Sequence, residues 1–157
     1  MTLGLFGITI PNWGKAVSNL IQISEAASLA LHSMAFLANR NGGQMAVSEL
    51  AGLTGSSENH LAKVFQRLSK AGLVRGTRGP SGGYLLVKPP QDVTLMEVFE
   101  AIEGPAGPGP CPCSRGYCGF KTCMFQGIFA QATHLIRDYL ENKTLDAYLE
   151  GVPDRII

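Results

Sequence analysis

Cysteine is missing from all but thirteen consecutive residues of this chain, where Cys111, Cys113, Cys118 and Cys123 stand together. A secreted disulfide scaffold distributes its pairs through the fold, so this pattern argues against that class. No run approaches the roughly 20 apolar residues of a membrane span. The N-terminus lacks the basic n-region and small-residue cleavage site of a signal peptide. The expected setting is a reducing cytoplasm, with no membrane partner. Histidine is scarce: His32, His60 and His134 all lie outside the cysteine stretch. No nucleophile–base pairing is readable, so the chain is not expected to be an enzyme. Internal repeats are absent. Net charge is almost absent as well, at +1.

That near-neutrality hides a segregation. Residues 58–88 carry Lys63, Arg67, Lys70, Arg75, Arg78 and Lys88 against the single acid Glu58, whereas residues 89–157 carry five basic residues against nine acids. A basic middle beside an acidic last third points to an anionic partner for the middle, nucleic acid before any other. Hydrophobic content of 45% and charged content of 16% are values of a folded domain rather than a disordered chain.

The chain divides by its punctuation. Residues 1–22 form an N-terminal extension in which Trp13, Val17, Leu20 and Ile21 follow a helical spacing after Pro11; it is either a short packed helix or a peripheral segment. From Ser24, a capping residue, a helix with Ala27, Ala30, Leu31, Met34, Leu37 and Ala38 on one face is expected, stopped by Asn41-Gly42-Gly43. Ser48 is the expected cap of a short helix over residues 49–53. After Thr54-Gly55-Ser56, a second helix is expected over residues 57–71 with Leu61, Val64, Phe65 and Leu68 inward, ended by Gly72. Helix, glycine-containing turn and helix make a helix-turn-helix. Two short strands follow, residues 73–77 and 83–87, joined by a glycine-rich tip that carries Arg78: a wing. Residues 23–90 are therefore read as a winged helix-turn-helix DNA-binding domain. Pro89-Pro90 breaks the chain, and Thr94-Leu95-Met96-Glu97 is a capping box opening a helix to about residue 103. Residues 91–110 form that connecting helix and a Gly/Pro linker, and residues 111–123 the cysteine loop. Residues 124–149 hold a long helix whose apolar positions, Phe125, Ile128, Phe129, Ala132, Leu135, Ile136, Tyr139 and Leu140, suit pairing with a second copy, giving a homodimer. Cys123 is expected to open this helix, whose dipole would stabilise its thiolate. The fold class is mainly α with a small β-wing.

On the second helix of the motif, Asn59, His60, Lys63, Arg67 and Lys70 face outward on this reading, a set fit for a major groove. Lys63 and Asn59 have the chemistry to read base edges; Arg67 and Lys70 suit phosphates. Ser57 and Ser81 add hydroxyls at the helix start and the wing tip. Arg78 suits a narrow minor groove, where the potential is most negative.

Residues 61–87, above all Leu73-Val74 and Arg78-Gly79-Pro80-Ser81-Gly82-Gly83-Tyr84, resemble the winged-helix regulators of the IscR/NsrR type, the Rrf-two family. Leu29-Ala30-Leu31, residues 94–104 and the closing helix fit too, so the resemblance spans about residues 23–149. It implies a dimeric transcription factor, commonly a repressor, that binds a double-stranded DNA operator. It places Asn59, Ala62 and Lys63 at base-reading positions and Arg78 in the minor groove. Ala62 departs from the IscR type, which has an acid there, so operator preference does not carry over.

Four thiolates converging from one loop are donors for an iron–sulfur cluster or for zinc. Spacings of one, four and four intervening residues lack the C-x-x-C knuckles usual for zinc. Pro112, Tyr117, Phe120 and Met124 offer an apolar shield, which favours a cluster. The resemblance implies a 2Fe–2S or 4Fe–4S cluster held by Cys118, Cys123 and either Cys111 or Cys113. Gln126 stands where the IscR type has a histidine ligand, and Ser28 where the NsrR type takes an acid from its partner subunit. The alternatives are a structural zinc site without a sensing role and a cluster-free thiol switch.

Overall fold

The computed structural model describes residues 23–40, 42–79, 82–105, 121–122 and 124–149; the N-terminal extension, the wing-tip Ser81, linker residues 106–110 and all four cysteines lie outside the described residues. Within them the order is α1 (Glu25–Ala38), α2 (Val47–Thr54), α3 (Glu58–Lys70), β1 (Val74–Thr77), β2 (Gly83–Leu86), α4 (Leu95–Glu103) and α5 (Ile128–Glu141), with 3-10 turns at Pro90–Asp92 and Leu145–Tyr148.

Local chemistry sets most of these boundaries. Ser24 caps α1 by accepting from the Ala27 N–H (3.1 Å). Ser57 caps α3 by accepting from the His60 N–H (3.2 Å). At its other end α3 closes in two reverse bonds around Gly72 (φ 76°), Gly72 N–H to Ser69 O and Leu73 N–H to Leu68 O, both 3.0 Å. Thr94 and Glu97 form the complete capping box of α4. The start of α2 differs from expectation. It begins at Val47 after an Ala46 N-cap without a side-chain bond, so Ser48 lies inside the helix and caps nothing. The cause is tertiary. Met45 pairs with Tyr84 of the wing through N–H···O bonds of 2.9 and 2.8 Å, which holds the chain extended up to Ala46 and lets the helix start there.

α1, α2, α3 and α4 share one core with the wing root: Met34, Leu37, Leu50, Leu61, Phe65, Leu68, Val93 and Val98 are fully buried in it. α4, read from the sequence as a connecting helix, thus shares its core with α1 and α3. The C-terminal turn closes on its start, Leu95 N–H bonding Lys143 O (2.8 Å) and Leu145 N–H bonding Val93 O (3.0 Å), with Leu145 fully buried. Ser33, on the core side of α1, is fully buried with no hydrogen-bond partner for its hydroxyl among the described residues. Replacing it by alanine removes an unsatisfied group and raises helix propensity. Ser33→Ala should stabilise by about 1 kcal/mol, read as a higher denaturant midpoint at unchanged m-value.

Lys88, just beyond β2, donates to Glu97 Oε1 at 2.8 Å, while Glu97 Oε2 accepts the Thr94 N–H at 2.9 Å. Partial burial pushes the Glu97 carboxyl upward, but the Lys88 hydrogen bond, the Thr94 N–H and the Lys88 charge outweigh it, and the net shift is downward. Its contribution to stability is therefore present above the unfolded carboxylate pKa and is lost as pH falls through the folded value. Glu97→Gln should lower the melting temperature at neutral pH, with the difference closing below about pH 4. Thermal melts across that range check it.

Candidate nucleic-acid interface

The inner face of α3 is buried through Leu61, Val64, Phe65 and Leu68; its outer positions Asn59, Lys63, Gln66, Arg67 and Lys70 are exposed. Burial on a 3.6-residue period thus turns the whole basic set outward. A groove of about 500 Å³ runs along this helix, lined by Ala26 of α1 and by His60, Lys63, Val64, Gln66, Arg67 and Lys70. Beside it Arg67, Lys70 and Ala71 line a smaller hollow of about 300 Å³ with Ala101 of α4. Three fixed cations on one open surface concentrate negative potential partners there.

Two of the expected contact residues have prior engagements. His60 Nδ1 stands 3.7 Å from Glu25 Oε1 at the start of α1. Arg67 Nη1 donates to the Ile102 carbonyl of α4 at 3.0 Å, so part of its guanidinium serves the protein's own frame. The Ser57 oxygen is taken by the helix cap, leaving its hydroxyl proton for an outside acceptor. Asn59, Lys63 and Lys70 remain exposed. That Arg67 has an internal partner was not readable from the sequence, because the carbonyl it meets is thirty-five residues away.

The wing is an antiparallel pair with Val74 opposite Leu86 and Thr77 opposite Gly83. Its root is fixed to α3 by the Phe65–Tyr84 ring stack (centroids 4.6 Å apart, 30°). Its distal end is tied by Thr77, whose Oγ1 accepts the Gly83 N–H (3.1 Å) and donates to Gln44 Oε1 (2.5 Å). Arg75 and Arg78 are both exposed, and Gly79 next to Arg78 has φ 117°, which favours glycine.

The cysteine segment is bracketed by described residues. On its near side α4 ends at Gly104 (φ 85°); on its far side Met124 is 66% exposed. α5 begins only at Ile128, after Gln126 (φ 45°) and Gly127 (φ 78°), so Cys123 does not open the helix and the dipole argument for its thiolate falls away. Two successive left-handed residues break the helical path that the apolar periodicity alone extends too far. Phe125 and Phe129 cross this break edge to face, 5.1 Å between centroids. The apolar positions of α5 divide in two: Leu140 is buried and Ile136 packs on the core, while Ile128, Leu135 and Tyr139 remain exposed. His32 and His134 are exposed, and His32 Nδ1 lies 2.7 Å from the Ser28 carbonyl one turn back on α1. Among the described residues no group of His, Cys, Asp or Glu could hold a metal ion, and no helix is long and apolar enough to cross a membrane.

A family model described as Rrf2, iron-dependent transcriptional regulator, matches residues 23–151. Similar proteins include the rrf2-like putative HTH-type transcriptional regulator of Rhodobacter capsulatus, 31% identical over 137 residues, covering 83% of this chain and 91% of that one. The HTH-type transcriptional regulator IscR of Pectobacterium carotovorum is 30% identical over 124 residues, 79% of this chain and 71% of the relative. Among solved structures, CymR, the global cysteine regulator of Bacillus subtilis, shares the fold at a TM-score of 0.69 and 24% identity, over 81% of this chain and 95% of that one.

Proposed function

Because the chain belongs to the Rrf2 family of transcriptional regulators, we propose that it is a homodimeric repressor whose affinity for a double-stranded DNA operator follows the state of the cysteine segment at residues 111–123. The observation that carries the DNA half is the exposed basic face of α3 with its open groove. Lys63 and Asn59 meet base edges, Lys70 meets phosphate, and Arg78 at the wing enters the minor groove. The exposed Ile128, Leu135 and Tyr139 of α5 pair with the same residues of a second copy, which sets the two recognition helices for two half-sites.

The sensing half rests on the donor set. Four thiols within thirteen residues supply the soft ligands that an iron–sulfur cluster takes. Cys118, Cys123 and either Cys111 or Cys113 would hold it, and the remaining cysteine of the Cys111-Pro112-Cys113 pair would substitute for the histidine that Gln126 replaces. When bound, such a cluster would supply a crosslink that iron shortage, oxidants or nitric oxide can remove. The protein's own part is mechanical: an ordered segment fixes the end of α4 and the start of α5, and a released one frees both.

The test is anaerobic purification followed by a visible absorption spectrum, with iron and sulfide assayed on the same sample. Brown protein with matching iron and sulfide is expected, with the band shape distinguishing 2Fe–2S from 4Fe–4S. Cys118→Ala or Cys123→Ala should bleach it and make operator binding indifferent to iron. Colourless protein after reconstitution, with zinc bound and unfolding on chelation, would replace the sensor with a structural clip. Colourless, metal-free protein whose DNA binding follows thiol oxidation would make the segment a thiol switch.

A further inference from the structure

The wing carries charge of one sign. Residues 71–88 hold Arg75, Arg78 and Lys88 and no acid, and residues 39–47 beside them hold Arg40 and no acid. Arg40 is answered by Glu49 and Lys88 by Glu97, whereas among the described residues no carboxylate pairs with Arg75 or Arg78, both exposed. A side-chain dipole in such a field turns its positive end outward, toward an anion. Gln44 supplies one. It precedes Met45, which pairs with Tyr84 on the edge of β2 away from β1, and its side chain reaches across β2 to Thr77 of β1. Thr77 decides which way the amide faces. Its Oγ1 accepts the Gly83 N–H at 3.1 Å and stands 2.5 Å from Gln44 and 3.2 Å from the Gly83 carbonyl, with a single proton to give. A separation of 2.5 Å suits an O–H···O bond and is too short for N–H···O, which begins at about 2.7 Å. The Thr77 proton therefore goes to Gln44, and the atom that receives it is the amide oxygen Oε1. The amide nitrogen is the end not committed to Thr77, on an exposed residue.

Resting on the reading of the wing as a minor-groove element, we propose that Gln44 is a further DNA contact, its amide nitrogen donating to a phosphate oxygen that borders the groove Arg78 enters, with Thr77 as its positioning residue. Thr77 directly precedes Arg78, and the tip beyond is closed by the Gly82 N–H bonding the Gly79 carbonyl at 2.8 Å. The amide and the guanidinium therefore leave the same hydrogen-bonded piece of the wing. A minor groove is only about 6 Å wide, so a side chain inside it has a sugar–phosphate wall on either hand. Gln44 belongs to the flank of the wing, not its tip, and a flank meets the wall and not the base edges. Phosphate oxygens are pure acceptors, and neutral amides are among the groups that bond them to fix register. Gln44 is also prepared for the contact. Its backbone neighbour is paired to β2 and its Oε1 is held by Thr77, so little rotamer freedom is lost when DNA arrives.

The experiment titrates the full chain, over a range of salt, with a duplex that the unmodified protein selects from a random pool. Gln44→Met should bind about tenfold more weakly, by a similar factor on the selected duplex and on copies changed one base pair at a time. Its salt slope should stay within about 0.3 of the original, because a neutral amide displaces no condensed cation, whereas Arg78→Met should lose about one unit. Gln44→Glu separates contact from frame. Its carboxylate still accepts the Thr77 hydroxyl, so the melting temperature should stay within about 2 °C, yet it turns an anion toward the phosphate and should weaken binding more than Gln44→Met does. Thr77→Val should cost less affinity in the Gln44→Met chain than in the unmodified one; equal costs would remove Thr77 as the positioning residue. A Gln44→Glu protein that binds as tightly as the unmodified chain overturns the proposal, since any loss in Gln44→Met then came from the frame of the wing. A loss that varies with the base pair under the wing overturns the phosphate assignment in favour of base reading. In both cases a weakened Arg78→Met leaves the DNA reading of the wing standing. If Arg78→Met binds unchanged, or the unmodified protein selects no duplex, that reading itself fails and the proposal falls with it.

Discussion

Replacing Gly83 by alanine is expected to destabilise the protein by about 3 kcal/mol, which lowers its melting temperature by roughly 10 °C, and to weaken DNA binding at the same time. Gly83 opens β2 opposite Thr77, on the side where the next residue, Tyr84, pairs with Met45. A Cβ at Gly83 would lie 2.6 Å from the Met45 carbonyl carbon and 3.0 Å from the Ala46 nitrogen, closer still to the Met45 oxygen. All of these are backbone atoms of a hydrogen-bonded segment, so no side chain can swing aside. Relief requires residues 45–46 to move off, which breaks the bonds between Met45 and Tyr84 and draws Tyr84 away from Phe65 on the inner face of α3. The wing and the seating of α3 are therefore lost together. Gly52, exposed in α2 with nothing within 4 Å of an added Cβ, is the opposite case. Gly52→Ala should raise stability by up to about 1 kcal/mol through helix propensity alone. Thermal unfolding of the two variants should give shifts of opposite sign; a Gly83→Ala protein melting within about 2 °C of the unmodified chain would show that the pairing of Met45 with β2 is dispensable.

The contrast between these glycines shows what the sequence could and could not disclose. Ser24 and the Thr94–Glu97 box lie where capping chemistry puts them, and the buried stripe of α3 follows its period; Ser57, read as the first residue of α3, is its cap instead. Misreadings arise where a distant partner decides. Ser48 has the chemistry of a cap, yet α2 starts at Val47 because Met45 is held by Tyr84, nearly forty residues on. Apolar spacing carries α5 back toward Cys123, but Gln126 and Gly127 in left-handed geometry delay it to Ile128. A glycine at the break was visible; a left-handed glutamine beside it was not. Of the candidate interface, the outward basic set was readable from charge and period. The duty of Arg67 toward Ile102 was not, since nothing local marks it. The candidate cysteine site is read from sequence alone, since all four cysteines lie outside the described residues.

Leu135→Glu is expected to leave the protomer folded and to divide the dimer, with operator affinity reduced roughly 100-fold or more, the lower end of what joining two binding sites contributes. Leu135 is 72% exposed, so within one protomer a carboxylate there stays hydrated and changes stability by no more than about 0.5 kcal/mol. A monomer gains nothing from an apolar residue so placed, and the same is true of Ile128 and Tyr139, each more than half exposed on the same helix. Tyr139 is, in addition, held ready. Its hydroxyl lies 2.7 Å from that of Tyr148, whose own ionisation is pushed up to about 12 by burial and by this bond, so the Tyr148 hydroxyl keeps its proton at physiological pH. A side chain fixed in advance loses little entropy when a second copy covers it. Across a two-fold axis each Glu in place of Leu135 would have to be buried without a partner, or the two carboxylates brought together, and either outcome opposes association by several kcal/mol. Light scattering should then report protomer mass at micromolar concentration, with thermal stability little changed. DNA titrations should show one half-site bound weakly in place of two bound together. A Leu135→Glu protein that remains dimeric would move the interface off α5 and leave its exposed apolar face without a partner.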